Sequence, residues 1–274
     1  MHKASAYVKR HSVTYSERDE RFVAMQETGI VLYCDILGYR TFLSENESIT
    51  PAVEGVISIL ESAATESQKK TMETVKSLGD FAFLAEQRQA RVFADTIIIT
   101  MPLQDGDDDL HHTVRWVYLL TEAMVLHNHM LWHGLPVRGA VTVGNYYLTA
   151  TCFAGKCIAE AHDEANDIQL SAVTITPKAF SSFLSATKMG EDGLLYEWLH
   201  RIIRTYPTPC KSGTHDKRLL LMATDILGAF HDDDDRAIAP IYRAFIQHNK
   251  HLDVSAEIKA HNTLAFMRFL TNAH

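Results

Sequence analysis

Two aspartates stand where this sequence otherwise favours buried strands, and carboxylates in such positions can hold metal ions. Asp35 ends the short apolar run at residues 29–34, and Asp95 interrupts the apolar run at residues 90–101. A carboxylate is costly to bury without a partner, and two converging carboxylates repel each other unless a cation lies between them. Magnesium and manganese ions are hard cations that bind carboxylate and phosphate oxygens together. The pair therefore predicts a divalent-metal site that handles phosphates.

A loop with a glycine follows the first aspartate. Gly38 lets the backbone approach a ligand closely, and the amides of Leu37, Gly38 and Tyr39 begin a predicted helix, where they could hold phosphates. An aspartate that ends a strand is also a common helix cap or turn residue, and this interpretation stays open for either aspartate alone. The sequence leaves open whether the two carboxylates meet in space.

Strands and helices alternate around these residues. Short apolar, β-favouring runs predict strands at 29–34, 90–101, 137–143, 146–150 and 168–175. The third and fourth of these runs flank Gly144-Asn145, which predicts a hairpin. Apolar stripes and capping signals predict helices from residue 40, from residue 50, over 112–133 and from residue 155. This order of elements predicts an α+β fold, an α/β sandwich.

Composition narrows the function classes. The net charge of −8 makes the chain a poor general nucleic-acid binder, which would need a basic face. No apolar run approaches the roughly 20 residues that span a bilayer, so no membrane association is expected. The basic N-terminus lacks the apolar core of a secretory signal, and the four cysteines match no common zinc spacing. We therefore expect reduced thiols and a cytoplasmic protein.

Four segments resemble the class III adenylyl and guanylyl cyclases. The first aspartate lies in VLYCDILGYRTFL, which is similar to the family's FxDIxGFT, and the second lies in RVFADTIII, similar to the family's central hairpin. The strand before the family's dimer-arm region resembles LPVRGAVTVG. The family's next helix, GxxVNxAxRL, is similar to AGKCIAEAHDEA. The resemblance runs from about residue 29 to residue 176 and implies a nucleotidyl cyclase.

The resemblance also implies a site and an assembly. Asp35 and Asp95 would be the catalytic metal ligands for two divalent ions, Mn²⁺ or Mg²⁺, with the backbone carbonyl of Ile36 as a further ligand. Residues 37–39 would lie at the phosphates or ribose of a nucleoside triphosphate. The family forms head-to-tail homodimers with active sites at the interface, so a homodimer is implied here.

Four positions depart from the classical pattern. The helix positions that hold asparagine and arginine in classical members are Ala159 and Asp163. The positions that select adenine, an aspartate and a lysine, are Cys152 and Arg91. The purine-reading pair and the usual transition-state pair are thus both replaced.

Such substitutions, with the C-terminal segment DVSAEIKAHNTLAFMRFL, resemble the bacterial Pycsar anti-phage pyrimidine cyclases. That branch makes cyclic UMP or cyclic CMP, which activates a downstream effector. An arginine donates only, so Arg91 as a substrate-binding residue suits the two carbonyls of uracil and favours UTP. A cytidylate cyclase, a conventional adenylyl or guanylyl cyclase, and a catalytically silent dimerisation module with the cyclase fold remain alternatives.

Three regions are expected along the chain. Residues 1–28 are predicted to form an N-terminal arm, and residues 29–185 the nucleotidyl cyclase catalytic domain. Residues 186–274 are predicted to form a mainly helical C-terminal extension packed on that domain.

Overall fold

The secondary structure follows the predicted alternation. The computed structural model describes residues 26–76, 82–104, 106–149, 152–187, 201–221 and 234–272. Its strands are β1 (Gln26–Ile36), β2 (Gln89–Phe93), β3 (Thr96–Pro102), β4 (Val137–Leu148), β5 (Phe153–Ala154), β6 (Val173–Ile175), β7 (Ile203–Cys210) and β8 (Gly213–Leu220). Its helices are α1 (Tyr39–Glu45), α2 (Thr50–Val75), α3 (Ala82–Gln87), α4 (Asp109–Trp132), α5 (Lys156–Asp167), α6 (Pro177–Thr187), α7 (Asp234–Ile246) and α8 (Val254–Asn272).

One eight-stranded sheet organises the described residues. Its order is β2-β3-β1-β4-β6-β8-β7, and β5 pairs with β4 beside this path. The β4–β6 pair is parallel and the other neighbours are antiparallel. The α+β fold class predicted from the sequence is therefore confirmed.

Helices cover both faces of the sheet. In β1, Leu32 and Cys34 join a core with side chains of α2, α4 and α6, whereas Val31 and Tyr33 join a second core with α5. A strand that is covered on both faces has no polar side to show, which explains why this run is apolar throughout.

The two C-terminal helices pack where β1 ends. Leu37, directly after β1, and Leu131, near the end of α4, share a buried cluster with side chains of α7 and α8. On its other side α8 packs Phe266 and Leu270 against the β7–β8 hairpin. The C-terminal helices are thus attached to the end of the strand that carries the first aspartate.

Several details differ from the sequence predictions. The predicted hairpin at Gly144-Asn145 is wrong, because residues 137–148 form one continuous strand that pairs along the whole of β1. Asp95 lies in the turn between β2 and β3 and not inside a strand. Residues 26–28 of the predicted arm belong to β1, and residues 1–25 lie outside the described residues.

The predicted C-terminal extension contains more than helices. Strands β7 and β8 lie within residues 186–274 and extend the sheet through the β6–β8 pairing. The division of the chain at residue 185 stays a prediction. Within the part of the chain that the structure describes, no helix is both long enough and apolar enough to cross a membrane.

Candidate active site

The structure brings the two aspartates to the same end of neighbouring antiparallel strands. Asp35 stands opposite Thr96 in register, and the Ile36 amide donates to the Asp95 carbonyl at 3.0 Å. The turn that carries Asp95 is tight, since Ala94 beside it has a φ of 51°. Such left-handed backbone at a non-glycine residue is uncommon and is concentrated at functional sites.

An arginine fixes the orientation of the first carboxylate. Arg138 of β4 stands directly opposite Asp35, and its Nε and Nη2 donate to Asp35 Oδ2 at 3.1 and 3.0 Å. The same guanidinium also donates to the backbone carbonyl of Asn166 at 3.1 Å and to the Asn166 side chain. Because both bonds to Asp35 reach Oδ2, Oδ1 accepts no hydrogen bond from the described residues and is open to a ligand.

The charges around Asp35 and Asp95 favour a bound cation. Burial is the largest influence on the Asp35 carboxyl and raises its pKa, and the nearby Asp95 charge raises it further. The Arg138 charge and hydrogen bonds lower that pKa, yet the net direction is upward. One arginine is therefore not enough to compensate the buried charge, whereas a divalent ion between the carboxylates would favour their ionised forms.

The donor set fits magnesium or manganese. No described side chain hydrogen-bonds the Asp95 carboxylate, which is partly exposed at the rim of the site. Among the described residues, no group of three or more His, Cys, Asp or Glu side chains is arranged to hold a metal ion. Magnesium typically uses only one or two carboxylates and completes its shell with phosphate oxygens and water. A site of this kind depends on its substrate for the remaining ligands.

Two concavities are lined by residues that lie close to Asp35 in the chain. A cleft of ≈ 490 Å³ is lined by Tyr33, two residues earlier, and by residues around the start of α5. A pocket of ≈ 220 Å³ is lined by Leu37 and Gly38, two and three residues later, and by residues of α8. The cleft lining also includes Thr96, the residue after Asp95. The two aspartates are thus close in the chain to residues of both concavities, although neither aspartate lines one.

The predicted loop residues surround the end of β1. Leu37 is 4% exposed and packs against the C-terminal helices. Its amide donates to the Pro136 carbonyl at 2.8 Å, so the prediction that this amide holds a phosphate is wrong. Gly38 has a φ of 78°, a left-handed conformation that favours glycine, and precedes α1. Tyr39 is partly buried, and its pKa is raised by burial and by the Asp95 charge.

Arg91 lies near the rim of the cleft. Its Nε donates to the Thr149 carbonyl at 2.8 Å, and its Nη1 donates to the Ala90 carbonyl at 2.7 Å. Thr149 pairs with Cys152, and the next residue, Phe153, lines the cleft. The structure therefore brings Arg91 and Cys152 close together through Thr149, while two carbonyls orient the arginine.

The sequence analysis missed two polar side chains of α5. His162 lines the cleft beside Tyr33, at 5.5 Å between ring centroids, and accepts a hydrogen bond from Asn166 at 2.7 Å. Asn166 in turn binds the arginine that holds Asp35. Ala159 lines the same cleft, whereas the Asp163 side chain is 83% exposed. The sequence signal that could have found them is the i, i+4 spacing of His162 and Asn166 on a predicted helix.

Comparisons with known proteins give only distant structural similarity. No protein-family model and no curated protein sequence matches the chain. The solved structure of the guanylyl cyclase Cya2 is 12% identical with a TM-score of 0.36, over 72% of this chain and 92% of that one. The monomeric guanylyl cyclase domain of the RhoGC fusion protein from the aquatic fungus Blastocladiella emersonii is 11% identical with a TM-score of 0.41, over 73% and 98%.

A third structure, a class III adenylyl cyclase-like ATP-binding protein from Pseudomonas aeruginosa, is 10% identical with a TM-score of 0.35, over 57% of this chain and 35% of that one. At these TM-scores we take no functional conclusion from the similarities, and the function is inferred from the residues themselves.

Proposed function

We propose that this chain is a nucleotidyl cyclase that converts UTP to cyclic 3′,5′-UMP and pyrophosphate. The observation that carries the proposal is the placement of Asp35 and Asp95 at one sheet end, close to residues that line a cleft and a pocket. This placement suits a ligand whose reacting phosphate lies at the carboxylates while its two ends extend in opposite directions. The sequence motifs that resemble class III cyclases support the same activity.

The reaction would be intramolecular. The ribose 3′-oxygen forms a bond to the α-phosphorus, the bond from that phosphorus to the β-bridging oxygen breaks, and pyrophosphate leaves while the hydroxyl proton is released. Catalysis of this kind depends on positioning and on neutralising charge. Arg138 contributes by holding Asp35 in one orientation, and the cleft beside Tyr33 would take the ribose and base.

Two divalent ions, Mn²⁺ or Mg²⁺, would be the cofactors. Asp35 Oδ1 and the Asp95 carboxylate would hold them, with the Ile36 carbonyl as a further ligand. When bound, such ions lower the pKa of the attacking hydroxyl and stabilise the leaving phosphates. Residues 37–39 would lie along the phosphates, where the left-handed Gly38 gives close access to the backbone.

A competing function is a catalytically silent module with this fold. The Arg138–Asp35 ion pair favours it, because a carboxylate that serves only to bind an arginine needs no metal. The open Oδ1 and the unbonded Asp95 carboxylate favour the enzyme. Incubation with each of the four ribonucleoside triphosphates and Mn²⁺, followed by chromatography, separates the two. A cyclic monophosphate supports the enzyme, and no product from any triphosphate supports the silent module.

Uracil selectivity is expected to depend on Arg91. Two backbone carbonyls orient Arg91 near the cleft, and the remaining donors of its guanidinium suit a carbonyl acceptor such as the O4 of uracil. Cytosine places an amino donor where uracil has O4, and an unpaired buried donor costs about 1–3 kcal/mol. In competition between UTP, CTP and GTP, wild type should prefer UTP by about tenfold or more over CTP, and Arg91→Ala should lose this preference.

Two results would contradict the uracil assignment. A wild-type preference for CTP or GTP would overturn it, and the activity would then be that of another nucleotidyl cyclase. If Arg91→Ala instead lost activity equally with all three triphosphates, Arg91 would bind phosphate and not the base.

The active assembly is expected to be a homodimer with two-fold symmetry. The cleft beside Tyr33 is open on one side, and a second copy facing it would complete the nucleotide site, as the cyclase resemblance implies. Light scattering should give twice the chain mass of 30.9 kDa under assay conditions. A fully active monomer would rule this assembly out.

The biological role we propose is a cytoplasmic one in bacterial anti-phage defence. Cyclic UMP would act as a second messenger that activates a separate effector protein. The cyclase would therefore act on the effector only through its product. The four positions that differ from the classical cyclase pattern and the C-terminal segment both resemble Pycsar cyclases, and this resemblance supports the role.

A further inference from the structure

We infer that the pocket between the Gly38 loop and α8 binds the terminal phosphates of the substrate and the pyrophosphate product, with Lys259 of α8 as its main cation. The inference rests on the proposed function and extends it, because it assigns part of the site to the C-terminal extension. The pocket is lined by Leu37 and Gly38 on one side and by residues preceding and beginning α8 on the other.

Basic side chains predominate in this pocket, although the chain carries a net charge of −8. Arg40, Lys250, His251 and Lys259 all line it. The one acidic residue of the lining, Asp253, caps α8 by accepting a hydrogen bond from the Ala256 amide at 2.7 Å. His251 Nδ1 lies 3.2 Å from a carboxylate oxygen of Glu45, whereas Arg40, Lys250 and Lys259 form no ion pair with a described residue.

Lys259 is the cation most in need of an anion. It is half-buried, and its pKa is lowered by burial and by the Arg138 charge. Its Nζ donates to Ser255 Oγ at 2.7 Å and forms no ion pair with a described residue. The charges of Asp253 and Asp35 oppose this lowering, yet the net direction of the pKa shift is downward, so a bound phosphate would stabilise the charged lysine.

Two further cations differ in their roles. Arg40 of α1 is exposed and forms no ion pair with a described residue, so it is free to turn towards a phosphate. Lys250 is 5% exposed, and its Nζ donates to the Gly134 and Ala244 carbonyls at 2.7 and 3.2 Å. Its stem lies under Gly38, since a Cβ built on that glycine would come within 3.5 Å of Lys250 Cδ. We therefore treat Lys250 as a positioning residue for the loop.

The size and position of the pocket indicate which part of a ligand it takes. Its volume of ≈ 220 Å³ is smaller than a typical small-molecule site of about 300–1,000 Å³, so a whole nucleotide would not fit. The pocket begins at Leu37, one residue after Ile36 and two after Asp35. A polyphosphate chain whose first phosphate lies at the carboxylates would continue directly into it. The base would then remain on the cleft side.

Direct binding of inorganic tripolyphosphate to the full chain, measured by calorimetry with chelator present, tests the inference without turnover or metal. Wild type should bind saturably, and Lys259→Gln should weaken binding by about tenfold or more, since a charge-assisted hydrogen bond is lost. Lys259→Arg should retain most of the affinity. Lys156→Gln is the matched control, because the Lys156 side chain is 92% exposed and lies on α5.

Each outcome bears on the inference separately from the cyclase proposal. Unchanged tripolyphosphate affinity in Lys259→Gln, or no saturable binding to wild type, would overturn the inference even if the chain cyclises a nucleotide. Loss of binding in Lys259→Gln but not in Lys156→Gln would support it even if no nucleotide is turned over. With an active enzyme, Lys259→Gln should also raise the KM for every triphosphate by a similar factor, whichever base it carries.

Discussion

Replacing either Asp35 or Asp95 by asparagine is expected to lower turnover by at least about a thousandfold while the chain stays folded. Asparagine keeps the shape of the side chain and removes the negative charge that the catalytic ions require. For Asp95→Asn no hydrogen bond to a described residue is lost. Asp35→Asn weakens the Arg138 pair but also removes a partly buried charge and its repulsion from Asp95.

Asp216→Asn makes the same chemical change at an exposed position of β8 and serves as the control. Turnover should be measured at saturating Mn²⁺ and triphosphate, with circular dichroism to show that each variant is folded. Wild-type turnover in either site variant would remove that aspartate from the metal site.

Glu122→Ala is expected to lower the free energy of unfolding by about 3–5 kcal/mol, the largest stability effect of any single change proposed. Glu122 of α4 is fully buried. Its carboxylate accepts hydrogen bonds from Arg88 Nε at 3.0 Å and from Ser67 Oγ at 3.2 Å. Burial raises the pKa of Glu122, and the arginine opposes that rise. Removing the glutamate leaves the guanidinium buried without a counterion.

Urea unfolding of two further variants isolates this effect. The double variant Arg88→Met with Glu122→Leu removes both charges and should recover most of the lost stability. Glu160→Ala breaks the exposed Lys156–Glu160 pair and should cost about 0.5 kcal/mol or less. Equal losses of unfolding free energy in Glu122→Ala and Glu160→Ala would contradict the stabilising role of the buried Arg88–Glu122 pair. Because Arg88 directly precedes β2, this ion pair also anchors the hairpin that carries Asp95.

Local sequence signals located β1 and the importance of Asp35, but not the partner of that residue. The apolar run at 29–34 predicts a strand by itself, and the aspartate after it interrupts the pattern. That Arg138 stands opposite Asp35 depends on strand order and register, which a single sequence does not contain. The same limit applies to Lys259, which reaches the site only because α8 packs where β1 ends.

One sequence prediction was wrong because tertiary pairing outweighed a turn signal. Gly144-Asn145 between two apolar runs favours a hairpin. In the structure Gly144 pairs with Gly29 and Asn145 with Thr28, whose hydroxyl donates to the Asn145 side chain at 2.7 Å. The eleven residues of β1 offer hydrogen bonds along the whole segment, so the chain continues as one strand.

The central claim is that Asp35 and Asp95 together hold the catalytic ions. Electron paramagnetic resonance of free Mn²⁺, titrated into the full chain at a constant tripolyphosphate concentration and corrected for uptake by the same solution without protein, measures this without turnover. Wild type and Asp216→Asn should both remove Mn²⁺ from solution saturably, whereas Asp35→Asn and Asp95→Asn should each weaken this uptake by about tenfold or more. Equal Mn²⁺ uptake by wild type and both site variants would contradict the claim.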